Sequence, residues 1–291
     1  MKIIRIQRWP VTFKVRPEFF IVSSAGAHRT SRYVIVAIET DDGSVGWGEA
    51  TVVPQWSGET QGSALTLIDD YFTPMLLGRD PRQIPALSAT MDEIIDNPFT
   101  KAAIEMALLD LAAKAAREPL YEHLGGRVNA TEIPIKFSIG LREPEDAASI
   151  AAEKVRQGFR AIKVKVGPEP EKDFQRVAAV RAAIGPDSQL TIDVNGGWSV
   201  EQAIRETPRY AELGVAYVEQ PTPRWDIEGM AKVRALVSLP VMADESVFAV
   251  WQAEQVIEKK AADLISIYPG KHGGVLRAME IARKAQAAGM T

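Results

Sequence analysis

Among its 291 residues the chain contains no cysteine. Disulfide staples, thiolate nucleophiles and cysteine-bound metals are therefore excluded. Histidine is nearly as scarce, with three copies, and aromatic residues make up only 7%. The reactive inventory falls to carboxylates and lysines. A net charge of -4 without a basic run leaves no electrostatic footprint for nucleic acid or for an anionic membrane. No stretch approaches the ~20 apolar residues of a membrane span, and the opening MKIIRIQRWP lacks an apolar run of signal-peptide length. The expected partners are a small molecule and further copies of the chain, as a homo-oligomer in the cytoplasm.

What is present supports a large folded core, since 46% of residues are hydrophobic. The length suits one large α/β barrel, or a barrel with a smaller domain. Two rhythms divide the chain. Over residues 1–127 strands come first, near 3–9, 33–39 and 45–49, with a turn at Asp41, Asp42 and Gly43; helical patterns follow near 62–77 and 100–116. That order is α+β. Over residues 128–291 short apolar strands, near 133–139, 161–166, 190–194, 216–219, 241–243 and 264–267, alternate with amphipathic helices. Strand–helix alternation implies parallel pairing with both faces covered.

Five charged residues punctuate that second region. Lys165, Asp193, Glu219, Asp244 and Lys271 are separated by 28, 26, 25 and 27 positions, about one strand, helix and pair of loops each. Each carboxylate closes an apolar strand, where barrel enzymes assemble their active sites, whereas an open doubly wound sheet concentrates its chemistry at one switch point. The expectation is an incomplete TIM-like (β/α) barrel of about six βα units, preceded by an α+β domain over 1–127. Six units cannot readily close a barrel, so the chain reads as truncated.

Side chains two apart on a strand share a face. Lys163 and Lys165 therefore point together, inward if Ile162, Val164 and Val166 face the helices. Two ammonium groups about 5 Å apart repel by roughly 3 kcal/mol at an effective dielectric near 20, worth about 2 pKa units. Lys165 could then be neutral often enough to act as a base. A solvent-facing edge strand would also alternate lysines, but it would not explain the aligned carboxylates downstream. Any one of Asp193, Glu219 and Asp244 could equally be a helix cap or a salt-bridge partner. Three at one level favour a hard divalent cation, Mg²⁺ or Mn²⁺, over Zn²⁺.

These motifs resemble the enolase superfamily, specifically its muconate lactonizing enzyme subgroup. The likeness lies in the Lys163-Val164-Lys165 strand, the Asp193, Glu219 and Asp244 set, and Lys271-His272-Gly273-Gly274. It extends to the first region, 1–127, which resembles the subgroup's α+β capping domain in Gly46-Trp47-Gly48-Glu49-Ala50 and in the helix containing Ala103 to Asp110. The resemblance implies proton removal or delivery at the carbon next to a carboxylate, with Mg²⁺ held by Asp193, Glu219 and Asp244 and stabilising the enolate. It further implies Lys165 and Lys271 on opposite faces of that carbon, Lys163 depressing the Lys165 pKa, and Asn195 and Glu245 behind the metal ligands. Two loops, near 16–31 and 55–59, would close over a small carboxylate, with Arg29 and Trp56 as candidate substrate contacts. Muconate cycloisomerase-like chemistry is the leading expectation. Amino-acid or dipeptide epimerisation, acid dehydration, an inactive fragment or pseudoenzyme, and a non-catalytic acid-binding barrel are the alternatives.

Overall fold

The computed structural model describes residues 1–126 and 133–290. Two compact units emerge: Met1–Lys14, Thr30–Glu132 and Ile267–Glu280 form the first, and Val15–Arg29, Ile133–Ser266 and Ile281–Thr291 the second. The division at residue 127 read from the sequence lies outside the described residues. Each unit is discontinuous in sequence. Among the described residues no helix is long and apolar enough to cross a membrane.

The first unit is built on a three-stranded antiparallel sheet of β1 (Ile3–Lys14), β4 (Thr30–Thr40) and β5 (Val45–Thr51), in the order β1-β4-β5. Against it lies helix α1 (Pro98–Ala116), which begins on a proline and is rich in alanine. Small side chains let helix and sheet meet at the backbone. A Cβ added at Gly48 would stand 1.9 Å from the carbonyl oxygen of Ala103, and one at Gly46 would stand 2.1 Å from that of Ala107. Both glycines are therefore demanded by close approach. The helical stretch expected near 62–77 is present as consecutive turns, Gln61–Thr66, Leu67–Phe72 and Thr73–Leu76.

The second unit carries a six-stranded parallel sheet in the order β11-β10-β9-β8-β7-β6. Its strands are β6 (Lys136–Ile139), β7 (Ala161–Lys165), β8 (Gln189–Asp193), β9 (Val215–Glu219), β10 (Val241–Ala243) and β11 (Leu264–Ile265). Helices α2 (Pro144–Arg156), α3 (Pro170–Ile184), α4 (Val200–Glu212), α5 (Ile227–Leu236) and α6 (Val250–Glu258) follow the first five in turn, and α7 (Val275–Ala287) comes last. Each strand followed by a helix gives a TIM-like barrel architecture. Strand β6 begins three residues later than the sequence suggests, because Ile133 and Ile135 are exposed at 83% and 67% and bury nothing.

Alternation along the strands sorts core from chemistry. Ile162, Val164, Leu190, Ile192, Val218 and Val241 join one apolar cluster with the helices. Their neighbours Lys163, Lys165, Asp193 and Glu219 are left for the opposite face. The segment Val15–Arg29, with a small hairpin of β2 (Ile21–Ser23) and β3 (Gly26–His28), is tied to the end of β6. Leu141 N–H donates to the Val22 carbonyl at 2.8 Å, and the Arg142 guanidinium donates to those of Pro17 and Phe20.

Candidate active site

Strand register brings the charged residues to one level. Lys165 is paired with Asp193 across β7 and β8, and Asp193 with Glu219 across β8 and β9. Asp244 follows one residue beyond the end of β10. The Lys163 ammonium donates to Asp193 Oδ2 at 2.8 Å and to Glu219 Oε1 at 2.9 Å. Lys165 donates to the same Asp193 Oδ2 at 2.5 Å and to Asn195 Oδ1 at 2.7 Å. Asn195 then passes its own amide to Glu245 Oε1 at 2.7 Å.

The electrostatics follow from that geometry. Burial opposes the charge on Lys163, but Asp193 and Glu219 outweigh it and hold the pKa above the ordinary lysine range. Asp193 is likewise buried, yet Lys163 and Lys165 together keep its carboxyl well below the usual carboxylate range. Glu219 is pushed upward, first by burial and then by the charges of Asp193 and Asp244, against the pull of Lys163. Glu245 is pushed up to about 7 by burial, Asp244 and Asp193. The repulsion expected between the two lysines is thus countered by the Asp193 carboxylate they share. Lys163 is a fixed cation pinned by two acids.

Two residues that sequence reasoning passed over help to build this centre. The Lys136 ammonium, on β6, lies 3.4 Å from Glu219 Oε2 and 3.3 Å from the Tyr217 hydroxyl. Its signal was available, since it precedes Lys163 by about one βα interval and alternates with Ser138, the residue facing Lys163 in register. Gln220 is fully buried, and its Oε1 accepts from the backbone N–H groups of Asp244 and Ser246 at 2.9 and 3.1 Å. It fixes the turn that carries Asp244 and Glu245. Nothing about an uncharged glutamine after Glu219 announced that role.

The remaining expected residues are distributed as follows. Lys271 belongs to the first unit, in a turn where His272 N–H donates to the Tyr268 carbonyl and Gly274 N–H to that of Pro269; its side chain is buried. Arg29, on the exposed hairpin of the second unit, has its guanidinium 5.7 Å from the Phe20 ring centre. Trp56 is half-buried and meets Tyr268 edge-on at 6.2 Å.

Among the described residues no three histidines or carboxylates converge as a ready-made cage. The Lys163 ammonium group bridges Asp193 and Glu219. The donor set nevertheless fits a hard divalent cation. Asp193, Glu219, Asp244 and Glu245 are four carboxylates against the three ammonium groups of Lys136, Lys163 and Lys165, and Glu245 Oε2 is buried with no hydrogen-bond partner among the described residues. Oxygen donors with surplus negative charge suit Mg²⁺ or Mn²⁺.

Family profiles match both regions: "Mandelate racemase / muconate lactonizing enzyme, N-terminal domain" over residues 6–125 and "Enolase C-terminal domain-like" over 146–291. The N-succinyl-L-Arg/Lys racemase of Bacillus cereus is 32% identical over 292 residues, covering 100% of this chain and 78% of its own length. The crystal structure of a dipeptide epimerase from Enterococcus faecalis, complexed with Mg and the dipeptide L-Leu-L-Tyr, superposes with a TM-score of 0.95 at 34% identity, covering 100% of this chain and 81% of that one. The 2-chloromuconate cycloisomerase of Rhodococcus opacus superposes with a TM-score of 0.95 at 35% identity, covering 100% and 79%. The chain belongs to the enolase superfamily, in the muconate lactonizing enzyme subgroup, a family of isomerases and epimerases.

Proposed function

We propose that this chain racemises or epimerises the carbon next to a carboxylate in a small N-acylated amino acid or dipeptide. The observation that carries the reading is Lys165, buried at the end of its strand and hydrogen-bonded to Asp193 and Asn195. Inverting a stereocentre requires a proton to leave one face and another to arrive on the opposite face. Two lysines on separate elements, Lys165 and Lys271, suit that demand, whereas lactone formation needs a single proton delivered. The likeness to a dipeptide epimerase and to an N-succinyl-L-Arg/Lys racemase supports the substrate class.

In this mechanism the Lys165 amine takes the α-proton, so that the C–H bond breaks as an N–H bond forms. Asp193 and Asn195 accept hydrogen bonds from the resulting ammonium and orient it. Lys271 then delivers a proton to the other face. Lys163 remains charged, keeps Asp193 ionised and works against the upward push on Glu219. Asp193, Glu219 and Asp244 would hold Mg²⁺ or Mn²⁺, with Asn195 and Glu245 supporting them. When bound, the cation supplies positive charge that balances the substrate carboxylate. Arg29 and Trp56 are the proposed substrate contacts on the two loops.

The test is α-proton exchange in D₂O followed by NMR, with Mg²⁺ or with EDTA, over N-succinyl amino acids, dipeptides and muconolactone. Metal-dependent exchange of an amino-acid derivative, with inversion, is the expected result. Exchange of muconolactone alone would replace this reading by cycloisomerisation, which the likeness to the Rhodococcus enzyme favours. Absence of exchange from every compound would sink the proposal.

A further inference from the structure

The turn carrying Lys271 is gripped from both ends by helix α1 of the same unit. At one end, a Cβ added at Gly270 would stand 3.0 Å from Cδ1 of Phe99, so the turn lies flat against that ring. Tyr268 adds an edge-on contact to Phe99 at 5.9 Å. Phe99 is itself fixed, because the buried Glu59 carboxylate accepts from the backbone N–H groups of Phe99 and Thr100 at 3.1 and 2.7 Å and caps the start of α1. Six residues further along, about 9 Å at 1.5 Å per residue, Glu105 reaches the other end. Its Oε1 accepts from Leu276 N–H at 3.3 Å, in the first turn of α7. Its Oε2 occupies the space where a Cβ of residue 274 would stand, 1.6 Å away.

A carboxylate is an expensive way to fill that space. Burial pushes the Glu105 pKa up, and the N–H groups of Leu276 and Val275 only partly offset this. An apolar side chain would fill the volume without the desolvation cost, but it would leave the first turn of α7 without its acceptor. Arg277, one residue beyond Leu276, is also ion-paired with Asp92, which in turn receives the Lys101 ammonium from α1 at 3.2 Å. The contacts converge on the backbone flanking Lys271.

We infer that Glu105 is a positioning residue for Lys271: it caps α7 and fills the void beside Gly274, and so fixes the turn from which the lysine projects. The inference rests on the proposed role of Lys271 as the second acid–base group. Glu105 touches neither substrate nor metal in this scheme. Its effect should therefore be one-sided, falling on the proton transferred by Lys271 and sparing the one transferred by Lys165.

The experiment compares the parent chain with Glu105→Gln, which keeps an acceptor and the shape, and Glu105→Ala, which keeps neither. Amide hydrogen exchange over residues 268–278 is read alongside urea stability. Deuterium wash-in is read separately for the two epimers of a dipeptide, the Lys271-dependent one being that silenced by Lys271→Ala. Glu105→Ala should speed amide exchange in 268–278 about tenfold beyond the change in global stability, and should slow the Lys271-dependent epimer by ~10–100-fold, the range for orienting residues. The other epimer should change less than about threefold, and Glu105→Gln should restore both readouts. Should Glu105→Ala fail to fold, Glu105→Leu takes its place with the same expectations. Unchanged protection of 268–278, or an equal loss for both epimers, would overturn the inference. If the parent exchanges no substrate, the functional proposal fails and the amide arm alone decides for or against Glu105.

Discussion

The two lysine sites of this chain are built on opposite principles. Lys163 and Lys165 are placed by strand register and held by side-chain charge, with Asp193 shared between two ammonium groups. Lys271 is placed by a turn whose backbone fits against Phe99 and Glu105 at glycines. The first arrangement is tolerant of shape and intolerant of charge. The second is the reverse, and the contrast gives each site its own mode of failure.

The largest expected effect is at the charged site. Lys165→Ala should lower α-proton exchange by about 10²–10⁴-fold, the range for a general base, while the fold survives because strand pairing of β7 does not depend on the amine. Exchange rates and circular dichroism check this, and loss of folding would show that the charge network also holds the sheet. The next effect is at the shaped site. Gly274→Ala should destabilise by about 1–3 kcal/mol, since the residue has a φ of +138° and its Cβ would collide with Glu105. Urea denaturation measures it, and a cycle with Glu105→Ala should recover the steric share while leaving the backbone strain.

The smallest effect separates the two sites by pH. Because the folded-state pKa of Glu105 is raised, chiefly by burial, its ionisation opposes folding. The stability associated with this group is full below the ordinary glutamate pKa, declines as pH rises through the raised folded value, and is level above it. The nearby charges of Arg277 and Asp92 act in opposite directions on it. Glu105→Gln should remove that decline, so the difference in urea midpoint between variant and parent should grow with pH above the glutamate range and then plateau. An unchanged pH profile would mean that Glu105 titrates alike in the folded and unfolded chains, and would sink the claim that burial raises its folded pKa.

Much of the charged site was legible in the sequence, and little of the shaped one. Spacings of 25 to 28 residues put Lys165, Asp193 and Glu219 at strand ends, and the register confirms their common level. Alternation along Ile162-Lys163-Val164-Lys165 gave the shared face. What spacing could not supply was the third dimension: that Lys163 would bridge two carboxylates, which changes it from a repelling neighbour into a pinned counter-ion. Gln220 was hidden for the same reason, since a side chain that organises backbone N–H groups 24 and 26 residues away has no local pattern. Gly48 and Gly274 looked like ordinary motif glycines until the carbonyl of Ala103 and the carboxylate of Glu105 were found where their side chains would be.

The discontinuity of each unit in sequence bears on how the chain acquires its structure. The first unit needs Ile267–Glu280, and the second needs Val15–Arg29. Neither can be completed by a contiguous stretch of chain. The closing contacts span most of the sequence, as in the Leu276 to Glu105 hydrogen bond across 171 residues. Such contacts repay the entropy of loop closure only late, which slows folding. During synthesis the first unit must therefore wait, partly assembled, for a segment made more than two hundred residues after its own sheet, which ends at Thr51.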